Sequence, residues 1–184
     1  MERKLAEEAL AASEARFRET IAQSLNGMLI VDDAFRIIEW NPAQAEIFGY
    51  TRAEMIGKAL WDYQFATLPA DEQSPQVLAA LRDRLLRPGG PSGSSWMASP
   101  QTREVQAKDG SRKTVQVSAF PIEVQGGKLY CATTRDITAE QTAQKNYQML
   151  FREMLDAFDL HEIILDAQGN PVDYRYLSVN PAFE

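Results

Sequence analysis

Apolar positions change their period several times along the chain, and each change marks an element. Residues 2 to about 24, ERKLAEEALAASEARFRETIAQS, lack Gly and Pro and are rich in Ala, Glu, Leu and Arg, which predicts a long helix. Ala6, Leu10, Phe17 and Ile21 form only a thin seam on it, interrupted at Ser13, which suits a dimer or a domain cover better than an independent coiled coil. GMLIVD (27–32) then reads as a buried strand, DDAF as a turn and RIIEW (36–40) as the paired strand of a hairpin. Asn41-Pro42 breaks the run, Ile47 and Phe48 are the apolar pair of a short helix, and Gly49 is placed to stop it. Thr51 with Glu54 makes a capping box, each satisfying an orphan donor at a helix start, and Gly57 closes that turn. WDYQF (61–65) reads as one helical turn. The clearest helix lies in SPQVLAALRDRLLRPGG (74–90), with Ser74 as N-cap and Pro75 in the first position. Val77, Leu78, Leu81, Leu85 and Leu86 mark its buried side, Pro88-Gly89-Gly90 ends it, and a flexible loop carrying Trp96 follows.

The period then shortens to two. TREVQA turns at Lys108-Asp109-Gly110 into the long alternating strand SRKTVQVSAFPI, with Val115, Val117 and Ala119 on one face. Gln125-Gly126-Gly127 is a further hairpin turn into KLYCATTRDIT (128–138). A strand pair, then helices, then an antiparallel meander is an α+β order. From Ala139 to about Phe158 a helical pattern returns, with Ala143, Tyr147, Leu150, Met154 and Ala157 at spacings of four and three. That seam fits either pairing with a second chain or packing of one amphipathic helix on its own domain.

Composition narrows the function class. The 184 residues, 45% hydrophobic and 24% charged, predict one globular domain or slightly more. A net charge of −7 argues against nucleic acid, and the basic pair Arg112-Lys113 is expected on a solvated strand edge. No apolar run approaches the roughly 20 residues that span a bilayer. One cysteine makes no internal disulfide, which points to a reducing, cytoplasmic setting even if a parent protein is membrane-anchored elsewhere.

The chain also repeats itself. FRETIAQSLNGMLIVD (17–32) matches FREMLDAFDLHEIILD (151–166) position by position, and after a longer hairpin Asn180-Pro181-Ala182 repeats Asn41-Pro42-Ala43. IIEWNPAQAEIFGYTRAEMIGK, KDGSRKTVQVSAFPI and the closing TTRDIT resemble the PAS domain family over residues 17 to 138, in its order and at its spacings. HEIILDAQGNPVDYRYLSVNPAFE resembles the opening of a second, truncated PAS domain. The expected organisation is an N-terminal helix at 1–24, a PAS domain at 25–138, a linker helix at 139–158 and the start of a second PAS domain at 159–184. A lone hairpin cannot bury a core, so that last segment is expected to be poorly ordered or supported by the first domain or a partner.

The resemblance implies a PAS fold: a five-stranded antiparallel sheet with helices packed on one face, flanked by N- and C-terminal helices. It implies a pocket between sheet and helices, with Val115, Val117, Ala119, Tyr130, Ala132 and Thr134 facing inward. Small Ala119 and Ala132 would leave room and Thr134 could offer a hydroxyl, so the space suits a small organic ligand or flavin, or else a filled core. The resemblance disfavours haem, since haem-binding members usually use a His on the long helix and the 75–87 helix has none; the one histidine, His161, lies in the truncated copy and reads as structural or solvent-facing. The resemblance also disfavours cysteinyl-flavin photochemistry, since photoactive members need a Cys in the short helices and WDYQFATL has none; Cys131 reads as a small buried hydrophobe. Trp40 and Trp61 read as core or rim aromatics. Metal-ligand spacing, a phosphate cradle and a Ser-His-Asp set are absent, so no catalytic residue is expected. Asp136, Ile137 and Thr138 match the family's closing triplet, where an Asp or Thr either couples the last strand to the outgoing helix or is an ordinary cap. The implied protein is a sensory and dimerisation module of a sensor histidine kinase or diguanylate cyclase. It would be a homodimer through Tyr147, Leu150 and Met154, with an effector domain in the same chain.

Overall fold

The computed structural model describes residues 2–87 and 99–183, and among these the side chains of residue 4 and of 12 onward. The Pro88-Gly89-Gly90 stop, the Trp96 loop and the Ala6 and Leu10 portion of the first seam therefore lie outside the described residues. In chain order the elements are α1 (Glu2–Ala22), β1 (Gly27–Val31), β2 (Ile37–Trp40), α2 (Pro42–Phe48), α3 (Arg52–Met55), α4 (Leu60–Ala66), α5 (Pro75–Leu86), β3 (Gln101–Gln106), β4 (Arg112–Val124), β5 (Gly127–Asp136), α6 (Thr138–Glu153), β6 (Asp159–Leu165) and β7 (Pro171–Val179). They fall into two units, Met1–Thr138 and Ala139–Glu184.

In the first unit the strands form one antiparallel sheet in the order β2-β1-β5-β4-β3. β1 pairs with both β2 and β5, joining the first hairpin to the meander: Leu29 stands opposite Trp40 on one side and Ala132 on the other. Strand alternation sends successive side chains to opposite faces. Leu29, Val31, Val115 and Val117 go inward and meet Trp40, Phe48, Met55 and Leu85 in the main core. On the opposite face Ile21, near the end of α1, covers Ile30 and Cys131.

Polar side chains set the boundaries of these elements. Asn41 Oδ1 accepts from the Gln44 amide at 2.9 Å, capping α2, and from the Met28 amide at 2.7 Å. Its Nδ2 donates to Ile21 O and Asn26 O, both at 3.0 Å. One buried side chain thus ties the end of α1, the start of β1 and the start of α2. Gly49 ends α2 at φ +74°, and the Thr51–Glu54 capping box starts α3 as expected. Ser74 caps α5 and Pro75 begins it, but Leu86 is half exposed while Leu85 is buried, because the helix turns only a narrow face to the core. The expected turn at 61–65 is a longer helix, α4. Gly27 permits a close approach: a Cβ there would lie 2.0 Å from the buried Gln44 Oε1.

In the second unit, β6 and β7 pair as a two-stranded sheet along their length. The segment expected to be poorly ordered or supported is thus a regular hairpin, because its turn and base are closed by local polar contacts. Asp166 Oδ1 accepts from the Gln168 and Asn170 amides, both at 2.9 Å. Asn180 Oδ1 accepts from the Phe158 amide at 2.8 Å, and its Nδ2 donates to Asp156 O at 2.9 Å. The same clasp corrects the linker helix. α6 ends at Glu153 rather than near Phe158, since Asp156 and Phe158 are drawn into the base of the hairpin. Met154 and Ala157, counted in the helical seam, lie past its end, while Tyr147, Leu150 and Met154 are exposed.

Candidate functional site

A cavity of about 40 Å³ lies between the sheet and the helices of the first unit. The meander builds its floor, and Val115, Val117, Ala119, Tyr130, Ala132 and Thr134 all line it. Ala119 and Ala132 are direct cross-strand partners, as are Val117 and Thr134. Two methyl groups facing each other across β4 and β5 leave space that larger side chains would fill. Phe48, Leu60, Tyr63 and Thr67 wall the helix side, and Arg103 stands at the β3 edge.

Aromatic packing holds that wall in place. The Tyr63 ring meets Trp40 edge-on at 5.1 Å and Phe48 at 5.4 Å. Gln44 Nε2 donates to the Tyr63 hydroxyl at 3.0 Å. Burial, above all, pushes the Tyr63 phenol upward, so it stays protonated. Phe35 stacks on Tyr130 at 5.3 Å. Of the two tryptophans read as core or rim, Trp40 is in the core, and Trp61 is partly buried with Arg82 over its ring at 5.9 Å.

A second cluster sits where β5 leaves the sheet. Asp136 Oδ1 accepts from the Thr138 amide at 3.0 Å and from its hydroxyl at 2.5 Å. The Thr138 Oγ1 accepts from the Thr114 amide at 2.9 Å, and the Ile137 amide donates to Thr114 O at 2.9 Å. Ile137 is buried. Lys113 reaches Asp136 Oδ2 at 3.6 Å. Burial pushes the Asp136 carboxyl up, but the Thr138 hydroxyl and amide and the Lys113 ammonium outweigh it and hold it below the usual range. The start of α6 is therefore bonded to β4 as well as to β5. Arg112 and Lys113 are not a free basic edge: Arg112 bridges Glu104 and Asp71, both at 3.1 Å.

Sequence reasoning placed the meander side of the cavity and missed the helix side and Arg103. Tyr63 and Phe48 read only as helix-core residues because their meeting depends on where α2 and α4 pack. Arg103 did leave a signal. It shares a strand face with Val105, so a charge occupies a position that alternation assigns to the core.

The residues fit a large cofactor poorly. No histidine lies on α5 or the cavity wall, and Cys131, although it borders the cavity between Tyr130 and Ala132, clusters with Ile21 and Ile30 on the other face of the sheet. Burial raises its thiol to about 11, the state of a buried hydrophobe rather than a nucleophile. The volume is also far below the roughly 300–1,000 Å³ of pockets that hold drug-sized molecules. His161 is in the second unit, 2.7 Å from Asp159 and beside the Tyr174 ring. Among the described residues no cluster of His, Cys, Asp or Glu could hold a metal, and no helix is long and apolar enough to cross a membrane.

Residues 25–139 match the PAS domain family model. The chain is similar to the oxygen sensor protein DosP of Escherichia coli strain K12, with 24% identity over 163 residues, covering 88% of this chain. It spans about a fifth of that relative's length (19%). Among solved structures it resembles the PAS domain of an HTR-like protein from Haloarcula marismortui, with a TM-score of 0.50 and 22% identity over 73% of this chain and 99% of that one. It also resembles an RNA-binding light-oxygen-voltage receptor, with a TM-score of 0.53 and 17% identity over 76% of this chain and 37% of that one. At these identities the likeness is one of fold.

Proposed function

The chain belongs to the PAS domain family, and from that premise we propose that its first unit is a non-catalytic sensory module. It reads the state of the cavity beneath β4 and β5 and passes that state to α6 through Asp136, Ile137 and Thr138. The observation that carries this reading is continuity. β5 lines the cavity with Tyr130, Ala132 and Thr134, and two residues later its Asp136 holds the first residue of α6. A displacement of β5 therefore moves the anchor of the helix. The output we assign is a histidine kinase or diguanylate cyclase in the same polypeptide. Residues 159–184 are read as the opening of a second PAS domain, a reading supported by the repeated asparagine clasp.

Filling the cavity tests the relay. Ala132→Leu occupies the space without a ligand, and amide exchange reports on the first turn of α6. The variant should alter exchange at residues 139–142 in an otherwise unchanged chain. Adding Asp136→Ala and Thr138→Ala should raise that exchange about fivefold by removing the cap and abolish its response to Ala132→Leu. An unaltered first turn in Ala132→Leu would discard the relay.

A ligand-free dimerising scaffold is the second reading, favoured by the exposure of Tyr147 and Leu150 on α6. It expects a dimer in sedimentation that Leu150→Glu dissociates, with a cavity that admits no solute.

A further inference from the structure

The cavity is apolar within and cationic at its rim. Next to it lies a groove of about 220 Å³ lined by Gln64, Arg84, Gln101, Thr102, Arg103 and Val117. Gln64, Arg103 and Val117 line the cavity too, so the two spaces share a wall. Among the described residues neither arginine has a carboxylate partner. Arg84 donates to Gln64 Oε1 at 3.2 Å, and Arg103 makes no ion pair among the described residues. By contrast Arg52, Arg112 and Arg175 are each bridged to acidic side chains. Burial, and then the nearby positive charge of Arg103, pull Arg84 below its ordinary value. Two unneutralised guanidinium groups thus face one groove in a chain whose net charge is −7. A forked guanidinium matches the geometry of a carboxylate, and two of them can share one.

We propose that groove and cavity together bind a short-chain monocarboxylate. Its carboxylate is held between Arg84 and Arg103, and its tail passes the Arg103–Val117 wall into the space beside Ala119 and Ala132. A cavity of 40 Å³ has room for about three water-sized groups, which limits the tail to roughly three carbons. The inference rests on the reading of the cavity as the sensing site and names the chemistry that site takes.

Calorimetry with the whole chain at fixed ionic strength tests it, using acetate, propionate, butyrate, pentanoate and hexanoate. Butyramide and n-butanol serve as uncharged counterparts, and inorganic phosphate as a head group without a tail. Affinity should rise about fourfold per methylene to butyrate, whose tail is three carbons long, and then level off. Arg103→Gln and Arg84→Gln should each weaken butyrate about tenfold or more, the loss of a charge-assisted contact, and leave butanol unaffected. Arg103→Lys should fall between. Arg103 is exposed on the edge strand, so these variants should melt like the parent chain.

Carboxylates binding no tighter than butyramide, or arginine variants without effect, overturn the inference. If butanol still shifts the Ala119 and Ala132 methyl resonances, the cavity survives as a sensing site. Phosphate binding as tightly as butyrate overturns the tail and leaves an anion groove alone. If no probe moves those methyls, the inference and the sensory reading fall together.

Discussion

The two hairpins of this chain use the same polar fastenings and end in opposite surroundings. In the first, Asn41 clasps Met28 by side chain and backbone; in the second, Asn180 clasps Phe158 in the same pattern. Asp32 closes one turn by accepting from the Ala34 and Arg36 amides, and Asp166 closes the other through Gln168 and Asn170. Yet Leu29 and Ile37 are buried, whereas Leu160, Ile163, Tyr174 and Tyr176 are exposed. Turn and base chemistry is therefore local and survives without a core. Burial comes from elements far along the chain, here β5 and the helices between β2 and β3.

Truncating apolar side chains should separate the hairpins most. Leu29→Ala should destabilise the first unit by about 2–5 kcal/mol, since it removes a buried side chain from the main core and enlarges the cavity that Leu29 borders. Ile163→Ala, at a site 58% exposed, should change its hairpin by no more than about 0.5 kcal/mol. Denaturant-dependent amide exchange of β1 and β6 reads the two effects in their own strands. Comparable losses at both sites would mean that the second hairpin is covered in solution.

The clasps should differ less. Asn41→Ala removes four hydrogen bonds at a buried site, which should cost about 2–4 kcal/mol at about 1 kcal/mol each. Asn180→Ala removes two and should cost about half as much. All three tryptophans precede residue 138, so their fluorescence in urea reports the first unit; Asn41→Ala should shift that transition and Asn180→Ala should not. A shift in both would join the units into one cooperative fold.

This contrast also explains what the sequence made legible. The Asn-Pro-Ala repeat was visible, and so were the capping box at Thr51 and the Gly126 turn, because each is a short-range polar device. The ungapped match of 17–32 to 151–166 holds at the closing aspartates, Asp32 and Asp166. It fails at the base of the hairpin, where Phe158, not Glu162, takes the place of Met28. Both strands of the second hairpin are longer, and apolar alternation does not record where a strand begins. The row Val115, Val117 and Ala119 of β4 was legible from its period of two, whereas that of β5 came only with the family resemblance. Tyr63, Phe48 and Arg103 were not legible, since only the packing of helices and the edge strand onto the sheet brings them to the cavity.

Acid should give the smallest and most local separation. The Asn170 amide, then its side chain, and further the Gln168 and Gly169 amides hold the Asp166 carboxyl below its ordinary 3.8. A lowered carboxyl contributes stability above its unfolded value and loses it as pH falls through the folded one. Exchange at Gln168 and Asn170, corrected for its intrinsic pH dependence, should therefore quicken as pH falls below about 4. Asp166→Asn keeps an acceptor oxygen but has nothing to titrate, so it should remove the slope and retain the turn. The first unit should be insensitive to that substitution, with its own acid response at Asp136. A slope that persists in Asp166→Asn would assign it to another carboxylate, and the turn would then no longer be what holds the second hairpin in shape.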